Sequence, residues 1–328
     1  MRSPSAAEPG STGGASLRQV TPDARLRRLE LTITRRLDGL LRGQYAGLLP
    51  GAGSEPAGSR EYRPGEDEVR RMDWAVTART TVPHVRETVA DRELSVWILA
   101  DASPSMDFGT VELEKRELAA GAVAAIGFLT AGAGNRLGAD ILGADGIRRL
   151  PARTGRTHLL GLLRILLTGP RGAAGTHRPG LEGALVNLRR AVRRSGLVVV
   201  VSDFLDGADG ERPAWEPELR RLSVRHQVIA IEVTDPRELE LPNVGLLTVV
   251  DPETGERREV PTASRRLRER FAAAATEQRR VIRDAVRRSG ATHITLRTDR
   301  DWVADIVRHV YAQRRLAMAA PARRGGVR

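Results

Sequence analysis

Apolar residues recur at helical spacing from Asp23 to Leu41 (Leu26, Leu29, Ile33, Leu37 and Leu40) with arginines between them, which predicts an amphipathic helix. Residues 1–22 before it are mostly Ser, Gly, Pro and Ala without period, the composition of a disordered tail. A loop rich in Gly, Pro and Ser follows, PGAGSEPAGSREYRPGED, and then EVRRMDWAVTARTTVPHVRETVADREL, which mixes strand-like residues with charges. From Leu94 the pattern changes. Short unbroken apolar runs, LSVWILA, LVVVVSDF and HQVIAIEV, are those of strands covered on both faces.

Between and after these runs lie helical patterns. Glu112 to Thr130 is charged at its start and then apolar nearly all round, so it predicts a deeply packed helix. Further helices are expected at His158–Leu167, Leu181–Arg194 (stopped by Ser195-Gly196), Trp215–Leu222, Ala263–Arg288 (stopped by Ser289-Gly290) and Asp301–Arg314. RLGADIL and IRRL flank Asp145-Gly146 as a hairpin, and LLTVVDPETGERREV reads as a second hairpin turning at Pro252–Gly255. THITL is a last strand. Alternation of this kind predicts an α/β fold with a doubly wound, mostly parallel sheet. The expected organisation is a tail at 1–22, an N-terminal helix and β-containing extension at 23–92, the α/β domain at 93–314, and a disordered tail at 315–328.

The first buried strand runs into DASPSMDFG, where Asp101, Ser103 and Ser105 place three oxygen-bearing side chains at alternate positions. In a doubly wound sheet of order 3-2-1-4-5-6 the first and fourth strands are neighbours, and their carboxyl ends open the crevice where such folds bind ligands. If LSVWILA is the first strand and the hairpin supplies the second and third, LVVVVSDF is the fourth. Asp203 then comes beside Asp101. Between them in sequence, the Gly-rich loop GPRGAAGTHRPG carries Thr176 over the same crevice. Two carboxylates and three hydroxyls are hard oxygen donors suited to Mg²⁺ or Mn²⁺, and they leave the ion electrophilic toward a further carboxylate. Asp107, Asp206 and Asp209 near these loop ends are expected to be solvated or to support the ligands from behind.

Composition narrows the function. The net charge is +12, but nearly every basic residue is arginine, and aromatics are only 3%, too few to stack bases along a nucleic-acid track. Acidic protein partners fit the basic surface better. The single lysine, Lys115, lies in LEKRE, so there is no phosphate-binding P-loop; GxSxG and HExxH are also missing. The six histidines (His84, His158, His177, His226, His293, His309) are scattered singly, and without cysteine there are no thiolate ligands, so zinc is disfavoured. No apolar run reaches bilayer length and the first residues lack a signal-peptide core, so a cytoplasmic protein is expected. Trp74 is expected in the core with Asp73 pairing a neighbour such as Arg79; partner contacts by Arg70 and Arg71 are the alternative. Arg189, Arg190, Arg193 and Arg194 form the wet face of their helix.

DASPS followed by Thr176 and Asp203 resembles the metal-ion-dependent adhesion site of von Willebrand factor A domains. That resemblance implies serines on the metal, the threonine direct or through water, the aspartates largely through water, and a partner's acidic side chain as the last ligand. YRPGEDEVRRMDWAVTAR, ETVADREL, KREL, SDF, VTDPRE and DPETGE resemble the bacterial domain-of-unknown-function family fifty-eight, from about Glu61 to about Thr298. This second resemblance implies a chaperone-like or assembly role with a MoxR-type AAA+ ATPase. A competing expectation is a Mg-dependent phosphohydrolase with Asp101 as nucleophile. It lacks the second aspartate that would serve as general acid, since Ser103 stands there, and its only lysine is in a charged helix start.

Overall fold

The computed structural model describes residues 27, 31, 35, 59–62, 69, 72–86, 94–111, 113–130, 134–171, 179–208, 210–250 and 256–319. Of the helix expected at Asp23–Leu41, Arg27, Leu31 and Arg35 are described, and they are helical and exposed. Arg70, Arg71, Thr176, Asp209 and the whole Pro252–Gly255 turn lie outside the described residues, as do the expected tail at 1–22 and residues 320–328 of the second; residues 315–319, expected in that second tail, are instead helical.

Ser59–Glu61 (β1) and His84–Arg86 (β2) form a small antiparallel ribbon, and between them runs the seven-residue helix Trp74–Thr80 (α1). Asp73 caps α1, its carboxylate accepting from the amides of Ala75 and Val76 at 3.1 and 3.2 Å. That satisfies amides a helix start leaves orphaned. Arg79 donates its Nε to the carbonyl of Ala75. The expectation that Trp74 packs in the core is wrong: the residue is 64% exposed. Two turns of helix against a two-stranded ribbon have too little apolar surface to enclose an indole, and α1 contains no buried residue at all.

The chain then builds Ser95–Asp101 (β3), Lys115–Leu129 (α2), Arg136–Gly143 (β4), Gly146–Arg153 (β5), Arg156–Thr168 (α3), Leu181–Ala191 (α4), Leu197–Ser202 (β6), Glu216–Arg225 (α5) and Gln227–Thr234 (β7). Leu246–Val250 (β8) and Arg257–Pro261 (β9) form a separate hairpin, and Arg265–Arg288 (α6), Thr292–Arg297 (β10) and Trp302–Ala319 (α7) complete the chain. The main sheet has the order β10-β7-β6-β3-β4-β5, all parallel except the β4–β5 hairpin. Counted from β3, this is the order 3-2-1-4-5-6 expected from the sequence. The fold is the doubly wound, mostly parallel α/β sheet.

Helices cover both faces. α2, α3 and α7 pack on Val96, Ile98, Val199 and Ile231, while α4, α5 and α6 pack on Leu99, Val198, Val200 and Ala230. Alternate residues of one strand therefore serve opposite cores, which is why LVVVV has no polar position. Each such fully buried side chain contributes on the order of 1.5–3 kcal/mol relative to exposure. α4 is shorter than the expected Leu181–Arg194 because Val192 leaves helical geometry (ψ 94°) and is itself buried. The chain enters β6 through Gly196, where a Cβ would stand 2.2 Å from the carbonyl oxygen of Ser95. Gly196→Ala is expected to destabilise by about 1–3 kcal/mol, read as a lower urea midpoint at unchanged slope. Wild-type stability in that variant would show that the β3–β6 approach is looser than this.

Candidate metal centre

β3 and β6 are hydrogen-bonded neighbours with Ala100 opposite Val201, so both strands end at one level. Asp101 closes β3, and Ser202 closes β6 with Asp203 immediately after it. The Oγ of Ser202 donates to Oδ2 of Asp101 at 2.6 Å across the two strands. The other carboxylate oxygen, Oδ1, accepts the amide of Ser103 at 2.9 Å. The chain then turns through a short 3-10 segment, Pro104–Asp107, which sets the hydroxyls of Ser103 and Ser105 3.0 Å apart. Of the five expected ligands, the fold brings Asp101, Ser103, Ser105 and Asp203 to this end of the sheet, and Thr176 lies outside the described residues.

Asp203 sits on an unusual stretch of backbone. Its Oδ1 accepts the amide of Leu205 at 3.1 Å, and Phe204 between them has a left-handed φ of 57°. A buried aromatic in that conformation costs about 1–3 kcal/mol unless its surroundings enforce it. They do: the Phe204 ring packs edge-on against Trp215 with centroids 5.1 Å apart, and Trp215 donates its Nε1 to the Phe204 carbonyl at 3.3 Å.

The residue that sequence reasoning missed is Lys115. The sequence places it in a charged helix start, and the structure buries it completely, with Nζ 2.8 Å from Oδ2 of Asp203 and in close contact with Oε1 of Glu238. As the first residue of α2 its charge lies at the positive end of the helix dipole, so the two carboxylates are what keep it there. Arg279 extends the network: Nη1 donates to the Asp203 carbonyl and to Glu232 Oε1 at 3.0 Å each, and Nη2 to Glu238 Oε2 at 2.8 Å. His293 Nε2 lies 2.9 Å from Glu232 Oε2. One signal existed in the sequence. In a chain that writes 52 of its 53 basic residues as arginine, the one lysine marks a place where a compact ammonium is needed.

The two aspartates are therefore not equivalent. Burial would raise the Asp203 carboxyl, but the Lys115 ammonium against it holds it below the ordinary range. Burial also disfavours charge on Lys115, and Asp203 and Glu238 overcome it and push its pKa up. Asp101 makes no ion pair among the described residues. Burial and the neighbouring charge of Asp203 raise it to about 6, against the pull of its hydrogen bonds from Ser202 and Ser103. Asp203, Glu232 and Glu238 face Lys115 and Arg279, which leaves one formal negative charge in that network, and the Asp101 carboxyl lies beside Asp203.

Among the described residues no three His, Cys, Asp or Glu side chains are grouped to hold a metal, so an ion here depends on the serine hydroxyls. The donors fit a small hard dication. The Ser103 and Ser105 hydroxyls hydrogen-bond to each other at 3.0 Å, a spacing that also matches the cis edge of an octahedron with bonds of about 2.1 Å, the magnesium value, and Asp101 is a buried carboxylate that makes no ion pair among the described residues. The described residues on either side of the segment that carries Thr176, Gly169 and Leu181, are each held by a side chain from the strand-end loops or α2. Arg116 donates to the carbonyls of Ala102 (2.7 Å) and Gly169 (3.1 Å) and pairs with Asp107. Asp206 accepts the amide of Leu181 at 2.5 Å. Asp107 and Asp206 thus hold the loops that frame the site.

The phosphohydrolase expectation must be judged on different grounds from those the sequence offered. Lys115 is near the site after all, but it has no exposed surface and is committed to Asp203 and Glu238, so it presents nothing to a phosphate. Ser103 still stands where a general acid is needed.

Residues 58–281 match the model of a family described as Protein of unknown function DUF58. KREL, SDF and VTDPRE, three of the segments that carried the sequence resemblance, supply Lys115 and Arg116, Ser202 to Phe204, and Asp235 to Glu238. They converge on this site. The chain is 52% identical over 296 residues to the uncharacterized protein Rv1480 of Mycobacterium tuberculosis, covering 90% of this chain and 91% of that protein. Among solved structures it is similar to an aerotolerance-related membrane protein from Bacteroides fragilis carrying multiple mutations to serine (TM-score 0.41, 15% identity, 68% of this chain and 99% of that one). It is also similar to a von Willebrand factor type A protein from Catenulispora acidiphila (TM-score 0.37, 13% identity, 71% and 45%). No described helix is long and apolar enough to cross a membrane.

Proposed function

The chain belongs to the DUF58 family, and on that premise we propose that it is a non-enzymatic protein-interaction module whose Mg²⁺, or Mn²⁺, binds an acidic residue of a partner. Asp101, Ser103, Ser105, Thr176 and Asp203 are the ligands in this reading. The observation that carries it is the pair of hydroxyls 3.0 Å apart beside a buried carboxylate that makes no ion pair among the described residues. The ion supplies an electrophilic position for a carboxylate from outside, and the chain's own residues hold it. Asp101 supplies the charge, Ser202 and the Ser103 amide orient Asp101, and Lys115 keeps Asp203 ionised. The partner implied by the family resemblance is a MoxR-type AAA+ ATPase, or else a client protein with an exposed acidic residue, in protein assembly or maturation; nucleic acid is not a partner in this reading.

Titration calorimetry is expected to find one Mg²⁺ or Mn²⁺ per chain, lost in Ser103→Ala with the thermal midpoint kept. Pull-down of a MoxR-type ATPase is expected with Mg²⁺ and not in excess chelator. Uptake of ion by Ser103→Ala at wild-type affinity would remove the basis of the proposal. Mg²⁺-dependent turnover of p-nitrophenyl phosphate that is lost in Asp101→Asn would replace it with hydrolysis.

A further inference from the structure

The sheet has a second end, opposite the metal centre. β6 begins at Leu197, six residues and about 20 Å from Ser202. α4 starts at the metal end, where Asp206 accepts the amide of Leu181, and its 11 residues carry it about 16 Å toward the other end. α5 finishes there too: His226 follows it, and the amide of Gln227, which opens β7, donates to the carbonyl of Gly196 just before β6.

Arginine is concentrated at this end. Residues 189–194 and 216–225 hold seven arginines and two acids. The fold puts the two stretches side by side: Nη2 of Arg225 donates to the carbonyl of Arg193 at 3.4 Å, and Oγ of Ser195 donates to the carbonyl of Arg225 at 2.9 Å. Both acids are committed. Glu218 is buried between Arg189 and Arg221, and Glu216 accepts from Arg288 with both oxygens, at 2.9 and 2.7 Å. Arg193, Arg194 and Arg220 are exposed, and their guanidinium groups make no ion pair among the described residues. Arg221 and Arg225 stand four apart on one helix face, a spacing at which like charges repel, so the backbone contacts hold the cluster together against its own charge.

Within the cluster lies Val224, 80% exposed and the most exposed of the large apolar side chains described. Arg220 and Arg221 come one turn before it on the same helix face, and Arg225 follows it. An apolar centre inside a charged rim is the anatomy of a protein contact surface.

We propose that this end of the sheet is a second docking surface, and that its occupant is an acidic protein segment carrying an apolar side chain. Carboxylates suit these arginines because the planar guanidinium takes both oxygens, as Arg288 does with Glu216 inside the chain. The apolar side chain of the partner covers Val224. Nucleic acid would satisfy the charge but offers nothing aliphatic to Val224, and neither arginine-rich stretch contains an aromatic residue to stack a base. The surface is about 20 Å from the metal centre and needs no metal, so one chain can engage acidic segments at both ends at once.

The test uses the full chain in excess chelator and a fluorescein-labelled twelve-residue peptide of Glu and Asp with two central leucines, followed by anisotropy. In two comparison peptides Lys replaces the acids or Ser replaces the leucines. The acidic leucine peptide is expected to bind at least about tenfold more tightly than the Lys peptide and about threefold more tightly than the Ser peptide, and to weaken as salt rises. Arg194→Glu combined with Arg220→Glu should weaken it at least about tenfold, and Val224→Ser about threefold, each with the thermal midpoint kept because none of the three side chains is buried. Ser103→Ala should bind the peptide as wild type does, which separates this surface from the metal centre: the surface stands if no ion is taken up, and falls if the peptide is lost with Ser103. Unchanged affinity in the doubly reversed chain, or equal binding of the leucine and Ser peptides, would overturn the proposal. So would a short DNA duplex or phosphatidylserine vesicles bound more tightly than the peptide and lost in the same chain, which would assign the arginines to phosphate.

Discussion

Lys115→Met is expected to cost about 3–5 kcal/mol of stability, the usual result of removing one partner from a buried pair. The substitution keeps the bulk of the side chain but leaves Asp203 buried beside a thioether, with Glu238 also losing a partner. Urea unfolding at pH 7.5 measures it. Adding Asp203→Asn to the same chain should recover at least half of the loss, because the stranded carboxylate is then gone. Lys115→Arg should not be neutral either, since a planar guanidinium does not fit the space of a fully enclosed ammonium. A cost below about 1 kcal/mol would mean that Lys115 pairs with water rather than with the site.

Asp101→Asn is expected to do the opposite in the absence of metal: it should raise stability at neutral pH. The carboxyl of Asp101 has its folded pKa raised to about 6 from the ordinary 3.8. Below pH 4 it is protonated in both folded and unfolded chains and the variant should differ little from wild type. As pH rises from about 4 to 6 the unfolded chain ionises first, so the wild type loses stability over that window, by on the order of 2–3 kcal/mol. Asn cannot ionise, so the gap between variant and wild type should open in the same window and stay constant above it. Asp203, held low by Lys115, acts with the reverse sign, since its contribution is lost as pH falls through the acid range. Saturating Mg²⁺ should stabilise the wild type and leave Asp101→Asn where it was. Thermal melts across pH, with and without the ion, read both effects. A variant that gains nothing at pH 7.5 would show that Asp101 is not an unpaired buried charge.

Much of this was legible along the chain because it depends on local pattern. Strands covered on both faces must be apolar at every position, so LSVWILA, LVVVVSDF and HQVIAIEV declared themselves. Once their number and the Asp145-Gly146 hairpin were read, right-handed crossover and strand order left few places for Asp101 and Asp203 except side by side. Helix ends were less legible. α4 stops at Ala191 because Val192 turns inward to a core that only the assembled sheet provides. Trp74 shows the opposite failure, for an indole promises a core that a seven-residue helix and a short ribbon do not supply.

The order of the elements, the two acids at neighbouring strand ends and the serine spacing were determined by the sequence alone, since each follows from periodicity or from residues a few positions apart. Tertiary structure decided the electrostatics. Lys115 and Glu238 are 123 residues apart, and nothing near either one says that they meet at the buried Asp203 carboxylate. Burial converts an ordinary surface lysine into the ion that separates the two aspartates in character, because the cost of charge depends on what surrounds it and no local pattern carries that information.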